Sequence, residues 1–102
     1  MTDHSNFLVA ASAKARPGKE KELERALRDV AEPTRAQPGS ILFSLYRSPD
    51  DPSVTISFER WALKDDHERH LQGARVQRLM FAVSGTRAEP AQISSYEVVD
   101  ER

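Results

Sequence analysis

Glu59, Trp61, His67 and His70 crowd one short stretch of the chain, and these are side-chain types that can do chemistry together. An imidazole is the side chain most readily set to accept or donate a proton near neutral pH. Leu63, His67, His70 and Leu71 stand at i, i+4, i+7 and i+8, so on a helix both imidazoles share the inward face. On the preceding strand, two-residue alternation groups Trp61 with Glu59, Ser57 and Thr55 and turns Arg60 to the other face. Each of these residues has two readings. Trp61 is either a wall on which an aromatic substrate stacks, or a hydrophobe closing the end of the core with its indole N–H bonded nearby. Glu59 is either a base in a pocket or a buried carboxylate paired with an arginine or with backbone amides. His70 either borders a substrate pocket or is a half-buried ring satisfied by a carbonyl or by Glu59. His67 is read as structural.

Phe43, Phe81 and Tyr96 are the further candidates for contact with a ligand, and Tyr46, Phe58 and Met80 add apolar surface. Tyr96 is the most useful of these, because a phenol can hydrogen-bond a substrate oxygen while its ring lies among apolar groups. His67, His70 and Glu59 could supply three metal ligands, but nothing else in the pattern marks a metal site and none is expected. The four glycines are scattered, so no phosphate-cradling loop for a nucleotide or flavin is present. No serine or cysteine sits in a nucleophile arrangement.

The elements that must position these residues follow from periodicity. Phe7 to Ala15 reads as a strand, with Phe7, Val9, Ala11 and Ala13 on one face and Leu8 and Ala10 on the other. After Arg16-Pro17-Gly18, helical spacing takes over at Leu23, Ala26, Leu27, Val30, Ala31 and Thr34. Pro33 should kink or end that helix, and Pro38-Gly39 stops it. Ile41 to Arg47 and Val54 to Trp61 form a hairpin across Pro49-Asp50-Asp51-Pro52. Leu63 to Leu71 and Ala74 to Ser84 are two helical pieces broken near Gly73, and Gln92 to Val99 is a last strand. Strand, helix, strand, strand, helix, strand is the order of a ferredoxin-like α+β fold with an antiparallel sheet. The strands carry apolar residues on both faces, as in a sheet that is covered on both sides.

The chain has 102 residues, enough for one small domain, and a shape this small gains from burying more surface in an oligomer. Fifteen basic residues against sixteen acidic leave no footprint for nucleic acid or for an anionic membrane. There are no cysteines, hence no disulfides, and no apolar run long enough to span a bilayer. Met1 to Asn6 is polar and lacks the apolar core of a signal peptide. These features set the expectation of a cytoplasmic protein.

Taken in order, Lys14-Ala15-Arg16-Pro17-Gly18-Lys19, Thr34-Arg35-Ala36-Gln37-Pro38-Gly39, the hairpin, Phe58-Glu59-Arg60-Trp61 and the following His70-Leu71 resemble the antibiotic biosynthesis monooxygenase family, especially its quinol monooxygenase-like branch. The resemblance runs from about Phe7 to Val99 in a single domain spanning the chain. It implies a homodimer in which two sheets pack face to face as an α+β barrel, without a cofactor or metal. It implies a cofactor-independent oxidation of a small electron-rich aromatic, a quinol or polyphenol, by O2. His70 would be the base or hydrogen-bonding group, with Trp61 and Tyr96 holding the ring. Family members that degrade haem carry an asparagine, a tryptophan and a histidine where this chain has Ala11, His70 and Met80, which disfavours that activity. Others have a second histidine where this chain has Arg75. An isomerase or other proton-transfer enzyme acting on a small oxygenated metabolite is the alternative, and a non-catalytic dimeric binding module is a third reading.

Overall fold

A computed structural model describes residues 6–102, so the reading of Met1 to Asn6 as no signal peptide lies outside the described residues except at Asn6. Strand β1 (Phe7–Lys14) leads into helix α1 (Glu20–Arg35), followed by β2 (Ser40–Arg47) and β3 (Val54–Trp61). Helices α2 (Lys64–Gln72) and α3 (Ala74–Ala82) then lead to β4 (Gln92–Glu97). The strands form one four-stranded antiparallel sheet in the order β2-β3-β1-β4, which is the ferredoxin-like arrangement.

The pairing register divides the sheet into two faces. Val9 lies opposite Glu59, which lies opposite Phe43, and Ala11 is matched in the same way with Ser57 and Leu45. These side chains point toward the helices. Leu8 is paired with Arg60 and with Tyr96, and Ala10 with Phe58, so these residues belong to the opposite face. Under the helices the core gathers Ala15, Leu23 and Val83, with Leu27 and Leu79 packed against them. Among the described residues the helices cover only one face of the sheet, and no further element lies across the other.

Pro33 does not end α1, which continues to Arg35. Proline removes one backbone bond, the one to the Asp29 carbonyl, and Asp29 is exposed so that water can replace it. The buried Thr34 hydroxyl donates to the Val30 carbonyl at 2.7 Å and fastens the same turn. The last strand is shorter than the sequence pattern suggests, ending at Glu97, and Val99 is 95% exposed. As an edge strand beyond the helices, β4 is exposed along its whole length, including Ile93 on the helix-facing side.

The turn between α1 and β2 depends on Gly39. Its φ of 84° is in the left-handed region, and a Cβ there would also collide with the Asp66 side chain. The Gly39 carbonyl accepts from the Ala62 N–H at 2.8 Å. Asp66 in turn accepts from the Leu63 N–H at 3.2 Å, satisfying one of the free donors at the start of α2. The α1–β2 turn and the first turn of α2 are thereby held against each other. Among the described residues, no helix is long and apolar enough to cross a membrane.

Candidate functional site

The inward face of β3 places Thr55, Ser57, Glu59 and Trp61 in a row beneath α2, and all four are buried. Glu59 is the hub of this row. Its carboxylate accepts from the Trp61 indole N–H at 2.9 Å and from the Ser57 hydroxyl at 2.7 Å. Two donors, one on each oxygen, are what makes burial of this carboxylate tolerable. His67 Nε2 lies 3.9 Å from the same carboxylate.

Helix α2 turns His67 and His70 onto this row, as the helical spacing predicts, and both rings are buried. Trp61 is fully buried and stacks obliquely on His70, with ring centroids 5.0 Å apart, and on His67 at 5.8 Å. Phe7 closes the far side of His67 at 5.7 Å, and Phe43 meets His70 edge-on at 6.1 Å. Burial lowers the pKa of His67 and outweighs the opposing pull of the Glu59 and Glu68 carboxylates. His70 is pushed down to about 4, first by burial and then by His67 and Arg75. Both shifts favour the neutral rings at pH 7, and at 3.9 Å His67 lies beside Glu59 beyond hydrogen-bonding distance.

A cavity of about 100 Å³ opens beside these rings. Leu27 and Val30 of α1, Val76, Leu79 and Met80 of α3, and Phe43 and Leu45 of β2 supply most of its wall. Its polar groups come from Glu59, His67, His70, Ser57, Thr55 and Ser12, and among the described residues no lysine or arginine lines it. The arrangement is a largely apolar pocket with hydrogen-bonding groups among its lining residues. A small ring could be held here by apolar contact and oriented through its hydroxyls.

The structure thus gathers His70, Phe43 and Glu59 around one cavity. Trp61 belongs to the same cluster, packed against His70, and is not among the residues that line the space. Tyr96 and Phe81 lie elsewhere. Tyr96 pairs with Leu8 and is 55% exposed on the opposite face of the sheet. Phe81 is 84% exposed on the outer side of α3. Neither of these two ligand-contact candidates borders this cavity. Two contributors escaped the sequence reading. Gln37, in the turn after α1, has its Oε1 2.7 Å from His70 Nδ1. Thr55 lines the cavity at the far end of the β3 row. Alternation placed Thr55 on the correct face, whereas nothing local to Gln37 signals its partner 33 residues away. Among the described residues, no group of three or more His, Cys, Asp or Glu side chains is placed to hold a metal.

The fold is shared with known proteins. A Nitrosomonas europaea protein described as a candidate antibiotic biosynthesis monooxygenase superposes with a TM-score of 0.89 at 21% identity, covering 97% of this chain and 95% of that one. The Rv0793 protein of Mycobacterium tuberculosis gives 0.88 at 25% identity, covering 95% and 98% of the two chains. An uncharacterised Synechocystis protein, sll1783, is 26% identical over 94 residues; the match takes in 92% of this chain but only 64% of that protein's length. The sequence pattern of the antibiotic biosynthesis monooxygenase family matches residues 6–80, a span that holds β1 through most of α3 and with them Gln37, Glu59, Trp61, His67 and His70. On that match the chain belongs to the antibiotic biosynthesis monooxygenase family.

Proposed function

We propose that this protein is a cofactor-independent monooxygenase that oxidises a small electron-rich aromatic, a quinol or polyphenol, with O2. The observation that carries this reading is the largely apolar cavity with two buried imidazoles and a carboxylate among its lining residues. A dihydroxyaromatic can itself supply all four electrons that O2 requires: one oxygen atom enters the ring, the other leaves as water, and the product is a hydroxyquinone. The protein needs to hold the ring, exclude bulk water and draw on the substrate hydroxyl proton. His70 is neutral at working pH, and its low proton affinity suits it to accept a hydrogen bond from that hydroxyl more than to remove the proton outright. Phe43 and the aliphatic wall would hold the ring, and a cavity of about 100 Å³ favours a single-ring substrate over a fused polyketide.

The active unit in this reading is a homodimer. Leu42, Tyr46, Phe58 and Tyr96 lie on the sheet face that the helices leave bare, each roughly half exposed, and Tyr46 and Phe58 already meet edge-on at 5.5 Å. A second copy of the chain laid across this face would bury them, as two sheets do when they pack face to face.

The test is oxygen consumption by the purified protein against a panel of dihydroxyaromatics, corrected for spontaneous autoxidation. Uptake that falls at least tenfold in His70→Ala, on the order expected for loss of a catalytic hydrogen-bonding group, supports the reading. Absence of uptake with every member of the panel would remove it in favour of proton-transfer or binding roles.

A further inference from the structure

We propose that Gln37 is the positioning residue of this site: its amide oxygen takes the Nδ1–H of His70, fixing one tautomer and one ring orientation so that Nε2 remains an unprotonated acceptor for the ligand. The proposal rests on the reading of His70 as the ligand-facing group and adds what makes it so. A neutral imidazole carries its proton on one nitrogen only, and which one is decided by the partner of the other. Here the partner is an amide oxygen 2.7 Å from Nδ1, an acceptor, so Nδ1 must bring the hydrogen.

The rest of the turn is built to keep that oxygen in place. The Gln37 N–H donates to the Thr34 carbonyl at 3.0 Å, and the Gln37 carbonyl accepts from the Ser40 N–H at 3.1 Å. Two residues on, Gly39 lies against Asp66 in the first turn of α2, the helix that carries His70. The turn and the helix therefore touch at two points, Gly39 on Asp66 and Gln37 on His70. Trp61 and Phe43 confine the ring from other directions. The choice of an amide also has a consequence. A carboxylate in this position would stabilise the imidazolium and turn His70 into a stronger base, whereas a neutral amide fixes the tautomer without adding charge to the pocket.

Long-range nitrogen–proton correlation spectra of the isotope-labelled imidazoles test this directly. In the wild-type protein at pH 7 the expected pattern is a protonated Nδ1 and a bare Nε2 on His70. Gln37→Leu removes the acceptor and should give a mixed or reversed tautomer. Gln37→Glu should retain the wild-type tautomer while moving the His70 titration midpoint upward. A proton on Nε2 in the wild-type ring, or an unaltered His70 pattern in Gln37→Leu, would overturn the proposal. Should Gln37→Leu not fold, Gln37→Glu decides, and a midpoint that fails to rise is the contradicting result. The spectra need neither substrate nor oxygen. A protein that shows the Nδ1 proton yet consumes no oxygen would keep this assignment and lose the oxygenase reading.

Discussion

The two faces of the sheet are made by the same strands and differ in almost every physical respect. On the helix side of β3, Ser57, Glu59 and Trp61 are nearly or fully inaccessible, and each polar atom of Glu59 has a donor. One residue further along at each step, Phe58 and Arg60 face the other way, where Phe58 is 47% exposed. The helix side hides groups that are costly to bury, and the bare side shows groups that are costly to expose. This inversion is informative. The buried ionisable residues Glu59, His67 and His70 sit where the chain's own helices organise them. The other face has the composition of an interface, with large apolar side chains and Arg60 held by Asn6 and Glu101.

The sharpest way to break the comparison is through Glu59. Glu59→Ala would leave the Trp61 N–H and the Ser57 hydroxyl buried without their acceptor, a loss of about 4 kcal/mol at 1–3 kcal/mol per orphaned group plus the cavity. Urea unfolding followed by the fluorescence of the one tryptophan reads this. A loss under about 1 kcal/mol would show that the row on β3 is not the hub described.

Acid is the next lever. In the unfolded chain His70 takes up a proton near 6.5, but in the folded chain only near 4. Protons therefore bind the unfolded state preferentially in that interval. The stability associated with a neutral His70 is fully present above pH 6.5 and is lost as the pH falls to about 4, by about 3 kcal/mol in total. The lowered pKa of His67 acts in the same direction. Urea midpoints measured through this range should fall more steeply for the wild type than for His70→Leu. Parallel curves would mean that burial of His70 does not hold it neutral.

The bare face should respond in the opposite manner. Phe58→Asp costs the subunit fold little, within about 1 kcal/mol, because the side chain is half in water already. Its effect should appear in the mass instead, with light scattering giving a dimer for the wild type and a monomer for the variant. A wild type that is monomeric at all concentrations would contradict the account of this face.

Much of this was legible in the sequence, and the failures have physical causes. Period-two and period-3.6 spacing located most elements, because a two-layer domain must segregate apolar residues by face, while the alanine-rich first strand leaned on the family resemblance. The same rules put Glu59, Trp61 and both histidines together. They could not place Tyr96, because alternation tells which residues share a face and not which face turns inward. That depends on the register of β4 against β1, where Tyr96 meets Leu8. The apolar set of α3 runs through Val76, Leu79, Met80 and Val83, and Phe81 falls outside it, on the exposed side of the helix. Gln37 was beyond reach for a different reason. Its partner is set by how a turn docks on a helix, a contact with no local periodicity at all.

The most direct test is to compare oxygen uptake on a dihydroxyaromatic by His70→Ala and by Tyr96→Phe, one aromatic ring system on each face of the sheet. The account predicts that uptake collapses in His70→Ala and that Tyr96→Phe keeps the wild-type rate per subunit. Uptake that survives the loss of His70 but depends on the Tyr96 hydroxyl would place the chemistry on the other face and contradict it.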